Sequence, residues 1–170
     1  MDVLEAMGTF RAIRGFRPEA LPEQAVTTIL NAGRRAQSSK NTQPWQFVAV
    51  TERETLQRLA TTGDFAGHLA GAALGMALVG PRDDERMTWV MFDLGQVTAY
   101  MQLAAWALGI GSCIASVYRP DEAAAVLGIP PEYTCPLALS FGYPQPQERE
   151  RPLRQGGRRP LDEVVHHERW

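Results

Sequence analysis

Three groups of polar side chains in this sequence could bind an anionic ligand. Arg11 and Arg14 lie near the N-terminus, residues 37–43 form a polar stretch, and residues 145–160 are rich in arginine. A guanidinium group binds phosphate through two parallel hydrogen bonds, while Ser, Asn and Gln supply neutral donors and acceptors. Each group alone also fits a solvated helix face or an ordinary loop. Together they indicate a site for a polar, anionic cofactor.

The motifs of several common catalytic sites are absent. The sequence has no P-loop, HExxH or Gly-x-Ser-x-Gly motif, and residues 109–114 lack the third glycine of a dinucleotide-binding fingerprint. Cys113 and Cys135 lie in apolar stretches without CxxC spacing, so we expect buried free thiols in a reducing compartment. His166 and His167 have no further ligand at metal-binding spacing, so we expect no metal site.

Composition and charge narrow the class of protein. The chain has 170 residues, 45% of them hydrophobic and 21% charged, which favours one globular domain over residues 1–170. The 17 basic and 19 acidic residues give a net charge of −2, which argues against a dedicated nucleic-acid binder. No signal peptide opens the chain, so we expect a cytoplasmic protein. Residues 94–118 carry no charge, but polar residues together with Gly109 and Gly111 interrupt them, so we predict a buried helix and strand rather than a membrane span.

Apolar spacing predicts helices interleaved with strands, which is typical of an α+β or α/β chain. A helix over Val3–Arg14 would make Arg11 and Arg14 neighbours on one face. A capping box of Thr51 and Glu54 would begin another helix. The remaining predicted helices span residues 22–35, 87–108 and 120–128, and the predicted strands span residues 47–50, 72–79, 112–117 and 134–141.

Two segments are predicted to pack against other parts of the protein or against a partner. The helix over residues 87–108 is apolar nearly all round, which indicates burial in a core or a subunit interface. After Pro144 the chain becomes polar, but apolar residues return between Leu161 and Trp170. We therefore expect residues 145–170 to form an arm that docks on its own chain or on a partner.

Motifs spread along the chain in one order resemble the nitroreductase family of FMN-dependent enzymes. The stretch Gln-Ser-Ser-Lys-Asn-Thr-Gln-Pro-Trp at residues 37–45 resembles that family's Pro-Ser-x-x-Asn-x-Gln-Pro-Trp loop. The opening Arg-Ala-Ile-Arg-Gly-Phe at residues 11–16 is also similar, and so are residues 18–23, 107–112, 127–130, 142–144 and 159–166.

This resemblance implies a fold, a cofactor and a set of site residues. The implied fold is an α+β sandwich, with a central, mostly antiparallel sheet flanked by helices, in an intertwined homodimer. FMN would bind at the dimer interface, and residues 145–170 would pack on the partner subunit. The resemblance assigns Arg11 and Arg14 from one chain and Ser38, Ser39 and Asn41 from the other, with Gln43 as a further cofactor-binding residue. It also places the backbone of Ile114, Ala115 and Ser116 at the flavin edge, and Arg158 and Arg159 at the phosphate.

The resemblance also implies a reaction. Hydride would pass from NADH or NADPH through flavin N5 to a small organic acceptor of the nitroaromatic, quinone or enone type, in a ping-pong scheme. Arg14, near N1 and O2 of the ring, would be catalytic, because a cation there stabilises the anionic reduced flavin. The alternatives are a flavin-binding carrier or sensor without turnover, and an interaction protein whose arginine-rich tail binds an acidic partner.

The sequence departs from the family pattern at three places. Ala12 stands where many relatives have Ser, which removes one hydrogen bond to the phosphate, and Gln37 replaces the usual Pro of the loop. Residues 60–85 are short compared with larger relatives, so we expect a more open substrate face.

Overall fold

Four antiparallel strands form the central sheet of the structure, a computed structural model that describes residues 1–83, 85–150 and 157–170 without the side chains of residues 149 and 150. In space the order is β1-β2-β4-β3, so β1 and β3 are the two edges. The predicted strands are confirmed at nearly the predicted bounds. They are β1 (Gln46–Val50), β2 (Leu74–Pro81), β3 (Gly111–Ser116) and β4 (Tyr133–Gly142).

The two central strands are covered on both faces. Every residue of β2 from Leu74 to Gly80 is buried, and so are the last five residues of β4. A strand buried on both faces has no need to alternate apolar and polar residues. This explains why residues 72–79 show no clear strand period, although they are correctly predicted as a strand.

Helices cover both faces of the sheet, which confirms the predicted α+β class. On one face α4 (Met87–Ala107) packs against α2 (Glu23–Gly33), so closely that a Cβ on Gly33 would lie 2.3 Å from Met101 Cε. On the other face lie α3 (Arg53–Leu59), a 3-10 turn (Gly67–Gly71) and α5 (Pro120–Leu127). The short helices α1 (Val3–Thr9) and α6 (Pro146–Glu150) lie near the two ends of the chain.

The N-terminal helix ends earlier than predicted, and the expected helical pairing of Arg11 and Arg14 is wrong. Helix α1 stops at Thr9, and the following segment is extended. Ala12 forms a parallel bridge with Ser112, and the Ile13 N–H donates to the Ser112 carbonyl at 2.9 Å. Ile13 is fully buried in this position, so tertiary packing outweighs local helix preference.

The cap of α3 also differs from the prediction. Glu52, not Thr51, is the N-cap residue, and its carboxylate accepts hydrogen bonds from the amides of Glu54 and Thr55 at 3.0 and 2.6 Å. The predicted capping box is therefore wrong, because the helix begins one residue later than that box requires.

The chain after Pro144 divides into two parts. Its first part packs on its own chain: the Gln145 N–H donates to the Gly15 carbonyl at 3.1 Å, and the Gln145 side chain donates to the Phe16 carbonyl at 3.1 Å. Every residue from 157 to 170 is exposed, including Leu161 and Trp170. The side chain of Arg149, together with Arg151 and Arg154, lies outside the described residues.

Candidate active site

The edge of strand β3 carries a short stretch of unpaired backbone. In an antiparallel pair, alternate residues direct their N–H and C=O groups away from the neighbouring strand. The Ser112 carbonyl points outward to Ile13, whereas the Val117 N–H donates inward to the Pro136 carbonyl of β4. By the same alternation, the amides of Ile114 and Ser116 face away from the sheet, and that of Ala115 faces β4.

Both ends of this edge are covered, which confines the open stretch to the neighbourhood of Ile114. Ala12 covers the edge at Ser112. At the other end Gly63 lies so close that a Cβ there would be 2.2 Å from the Ser116 carbonyl oxygen. Between these points the Ile114 side chain is 44% exposed, an unusual fraction for an isoleucine beside a buried sheet.

Arg14 lies beside this open edge. Arg14 follows Ala12, which bridges to Ser112 of β3, and its charge acts on both His68 and Cys113. Its backbone N–H donates to Glu148 Oε2 at 3.2 Å, which ties the segment to α6. Its side chain is exposed to solvent and places a permanent positive charge at the edge.

Two titratable side chains beneath Arg14 respond to burial and to its charge. Burial lowers the pKa of His68, and the positive charge of Arg14 lowers it further, although the nearby Ile114 carbonyl acts in the opposite direction. Burial raises the pKa of the Cys113 thiol and outweighs the opposite effect of Arg14. His68 is therefore a neutral imidazole and Cys113 a protonated thiol at neutral pH.

His68 is a buried polar residue near β3 that the sequence did not reveal. It is only 8% exposed, and its Nδ1 lies 2.7 Å from Ser140 Oγ of β4. A lone histidine between Gly67 and Leu69 carries no motif, and Ser140 is 72 residues away along the chain. The pairing becomes visible only when the turn over residues 67–71 is folded onto the sheet.

The polar loop before β1 is strained. Lys40, Asn41 and Gln43 have φ angles of 51°, 56° and 48°. Each left-handed residue other than glycine costs on the order of 1–3 kcal/mol, and such strain clusters at ligand-binding sites. The Gln43 N–H donates to Ser38 Oγ at 2.9 Å, which holds the turn closed.

The predicted site residues fall into separate groups within one chain. Ile114, Ala115 and Ser116 belong to the β3 edge, and the charge of Arg14 acts on His68 and on Cys113 of the same strand. The group Ser38, Ser39, Asn41 and Gln43 precedes β1, at the opposite edge of the sheet. With strands spaced about 4.8 Å apart, three strand spacings separate the edges by roughly 14 Å.

The remaining predicted residues lie elsewhere. Arg11 lines a cleft of about 530 Å³ together with Thr9, Trp106 and Gly109. Arg158 and Arg159 belong to the exposed segment 157–170, which forms no hydrogen-bonded strand with the sheet.

The described residues contain neither a metal-binding cluster nor a membrane-spanning helix. Residues 1–83, 85–150 and 157–170 contain no group of three or more His, Cys, Asp or Glu side chains that could hold a metal ion. Over the same ranges, no helix combines the length and the apolar character needed to cross a membrane.

The outward-facing amides of β3, the adjacent arginine and the strained polar loop are the features whose chemistry suits a planar, anionic ligand. The sequence model of the nitroreductase family matches residues 10–62 and 66–143, and these ranges contain the sheet, α2–α5, the β3 edge and the polar loop. The chain belongs to the nitroreductase family.

Individual relatives agree with this assignment. A protein of Archaeoglobus fulgidus, whose proposed identity is an NADH dehydrogenase/NAD(P)H nitroreductase, is 28% identical over 99% of both chains. The FMN-dependent nitroreductase of Clostridium difficile has the same fold, with a TM-score of 0.81 and 22% identity over 98% of this chain and 99% of that one. The NADPH:FMN oxidoreductase of Vibrio harveyi, solved with NAD+, has a TM-score of 0.85 and 22% identity over 99% of this chain and 77% of its own.

Proposed function

We propose that the protein is an FMN-dependent oxidoreductase that passes a hydride from NADH or NADPH to a small organic acceptor of the nitroaromatic, quinone or enone type. Family membership carries the general class, an NAD(P)H oxidoreductase. The observation that carries the site is the open stretch of the β3 edge with Arg14 beside it. FMN supplies the hydride chemistry when bound, so the protein needs no nucleophile or acid–base pair of its own.

The side chains and backbone at this edge fit a flavin ring. The outward amides of Ile114 and Ser116 are donors for the polar edge of the ring, and Ala115 spaces them. The exposed Ile114 side chain offers an apolar surface to its face. Arg14 would lie where negative charge develops on the flavin ring during its reduction. A fixed cation at that place stabilises the reduced ring most.

A second copy of the chain would complete this site. Within one chain, the polar loop with Ser38, Ser39, Asn41 and Gln43 stands at the sheet edge remote from Arg14. The loop of a partner subunit can meet that edge if the two copies pack through α4. Helix α4 supports this arrangement, because Trp89 and Phe92 are each 64% exposed on its outer face.

The C-terminal segment would act as an arm on that partner. Residues 157–170 expose Leu161, Val164, Val165 and Trp170, which is costly unless another surface covers them. Arg158 and Arg159 at the start of this segment would then meet the FMN phosphate. Arg11, which lies in its cleft beside Gly109, just before the start of β3, would add a further cation near the phosphate.

The visible spectrum of the purified protein tests the proposal. We expect a yellow protein with a flavin spectrum that bleaches on anaerobic addition of NADH or NADPH and recovers with a quinone. Initial-rate lines for reductant and acceptor should be parallel, because both would use the same face. Flavin that neither pyridine nucleotide bleaches would indicate a carrier or sensor, and a colourless protein that takes up no FMN would refute the flavin assignment.

Replacing Arg14 tests its role directly. We expect Arg14→Ala to weaken FMN binding about tenfold or more and to slow reduction by NAD(P)H, because a charge-assisted hydrogen bond contributes about 1.5–3 kcal/mol. Flavin fluorescence and stopped-flow absorbance measure the two effects. Arg17→Ala is the matched control, since Arg17 pairs with Glu19 at 3.0 Å and lies over the Tyr143 ring. Equal affinity and rate in Arg14→Ala and wild type would remove Arg14 from the site.

A further inference from the structure

One buried ring nitrogen near β3 has no hydrogen-bond partner. Among the residues that the structure describes, the buried side-chain atoms without a partner are His68 Nε2 and Thr98 Oγ1. A polar atom left unsatisfied in the interior is costly, so each of the two requires an explanation. Thr98 belongs to α4, on the other face of the sheet, whereas His68 belongs to the turn Gly67–Gly71.

The contacts of this turn place His68 beside the two outer strands, β4 and β3. Gly75, Ser140 and Cys113 are paired neighbours on β2, β4 and β3, so they form one row across the sheet. Leu69 lies over the inner end of this row, because a Cβ on Gly75 would be 3.8 Å from Leu69 Cδ2. His68 lies one strand further out: its Nδ1 is 2.7 Å from Ser140 Oγ, which is itself 3.4 Å from the Cys113 carbonyl oxygen.

The segment that leads to His68 begins at the other end of the open stretch of β3. A Cβ on Gly63 would lie 2.2 Å from the Ser116 carbonyl oxygen. Residues 63–68 therefore border the stretch in which Ile114 is 44% exposed. A ligand held by the outward amides of that stretch would lie next to this border.

The contact with Ser140 leaves the second ring nitrogen of His68 for another partner. The two nitrogens of an imidazole point in different directions, so a ring that is bound to β4 through Nδ1 directs Nε2 away from that strand. No protein group satisfies Nε2 there. Depending on the tautomer, Nε2 either donates to a carbonyl oxygen or accepts from an N–H group.

The pyrimidine edge of a flavin ring offers the partners that this nitrogen needs. That edge carries an N–H group between two carbonyl groups, so it satisfies Nε2 in either tautomer. Burial lowers the pKa of His68, so its imidazole is neutral at neutral pH and suits an uncharged ring better than a phosphate.

We propose that His68 Nε2 forms a hydrogen bond with the pyrimidine edge of FMN bound at the β3 edge. Ser140 holds the imidazole in place through Nδ1, and the outward amides of Ile114 and Ser116 bind the flavin ring beside it. This contact rests on the proposed function, which it deepens by adding a side chain that recognises the flavin ring rather than the phosphate.

Nitrogen-15 NMR of the imidazole tests the contact without measuring activity. We expect the His68 Nε2 resonance to shift when FMN is added to the flavin-free wild-type protein, whereas the Nδ1 resonance, held by Ser140, should change little. A shift in either direction supports the contact and identifies whether Nε2 donates or accepts. An Nε2 resonance that stays in place with FMN bound would overturn the inference, because the nitrogen would then be satisfied by an ordered water or by nothing.

Two substitutions separate the two nitrogens of the ring. His68→Asn keeps a polar atom near the Nδ1 position, and His68→Gln keeps one near the Nε2 position. We expect His68→Asn to weaken binding about five- to tenfold, the usual effect of losing one hydrogen bond, and His68→Gln to retain most of the affinity. Thr98→Val removes the other unpartnered atom and is the control, with unchanged affinity expected.

A comparison of FMN with riboflavin shows which part of the cofactor His68 contacts. Riboflavin has the same ring and no phosphate, so His68→Asn should weaken the binding of both ligands by the same factor in fluorescence titrations. A loss for FMN alone, or wild-type affinity in His68→Asn, would overturn the inference. A wild-type protein that takes up no flavin would refute the proposed function, whereas one that takes up FMN with an unmoved Nε2 resonance would refute this contact alone.

Discussion

At the scale of single residues, nearly all the basic side chains are arginine rather than lysine. Sixteen of the 17 basic side chains are arginine and one, Lys40, is lysine. A guanidinium keeps its charge at every accessible pH and binds two oxygens at once, so it can serve a phosphate or a ring carbonyl with fixed geometry. The proposed function gives Arg14 and the pair Arg158 and Arg159 two different tasks, one at the ring and one at the phosphate.

The phosphate task can be tested by comparing two forms of the cofactor. We expect the double variant Arg158→Ala, Arg159→Ala to bind FMN about 10–100-fold more weakly, because each charge-assisted hydrogen bond contributes about 1.5–3 kcal/mol. Its affinity for riboflavin, which has no phosphate, should barely change. Fluorescence titration measures both, and Arg169→Ala controls for removing a charge from the same exposed segment. Equal losses for the two ligands would contradict a phosphate role.

At the scale of elements, the cap of α3 predicts a pH dependence of stability. Hydrogen bonds from the Thr55 side chain, and then from the Thr55 and Glu54 amides, lower the pKa of Glu52 below its ordinary value of 4.5. A carboxyl whose folded pKa is lowered stabilises the fold above its unfolded pKa, and this stabilisation is lost as pH falls through the folded pKa. Glu52→Gln should therefore lower the Tm at pH 7, and the gap to wild type should close between pH 4.5 and strongly acidic pH.

Thermal unfolding followed by circular dichroism at several pH values measures this gap. Glu54→Gln is the matched control, because it removes a carboxylate from the same turn without touching the cap. A gap between Glu52→Gln and wild type that stayed constant down to acidic pH would mean that the carboxylate charge does not support the cap.

A second prediction at this scale concerns the contact that covers the end of β3. The Thr62 carbonyl accepts from the amides of Tyr118 and Arg119, both at 2.9 Å, and Gly63 then lies against the Ser116 carbonyl. Gly63→Ala must push this segment outward, with an expected cost of about 1–3 kcal/mol in unfolding free energy. Gly67→Ala, where a Cβ meets nothing within 4 Å, should cost far less. Similar urea midpoints for the two variants would show that the edge adapts freely.

The elements also show which parts of this protein can be predicted from sequence. Helix α4 and the four strands follow from apolar runs and glycine boundaries, because burial dictates both. The end of α1 does not, since Ile13 leaves the helix to bury against Gly111, nearly 100 residues away along the chain. The loop before β1 is predicted as a motif, but its left-handed backbone is not. The buried position of His68 escapes prediction because it depends on Ser140, a contact between distant segments.

At the scale of the whole molecule, the arrangement of the sheet argues for a dimer. The β3 edge and the loop before β1 lie at opposite edges of one sheet. A site that uses both therefore needs the loop of a second chain. The outer face of α4 offers the surface for a second copy: Trp89, Phe92 and Tyr100 are exposed, and a Cβ on Gly95 would meet nothing within 4 Å. A neighbouring helix could therefore approach closely at Gly95 while the aromatic side chains pack around it.

This arrangement predicts that a substitution that prevents dimer formation also weakens FMN binding. Phe92→Asp places a charge in the centre of the proposed interface, where burying it unpaired costs several kcal/mol. We expect a dimer for the wild type and a monomer for the variant by analytical ultracentrifugation, with FMN affinity reduced at least tenfold, because the partner's polar loop is lost. Phe65→Asp, at a residue 79% exposed on the opposite face of the sheet, should stay dimeric. A monomeric Phe92→Asp that kept wild-type FMN affinity would show that one chain suffices for the site, and that Ser38, Ser39, Asn41 and Gln43 do not reach the cofactor from a partner.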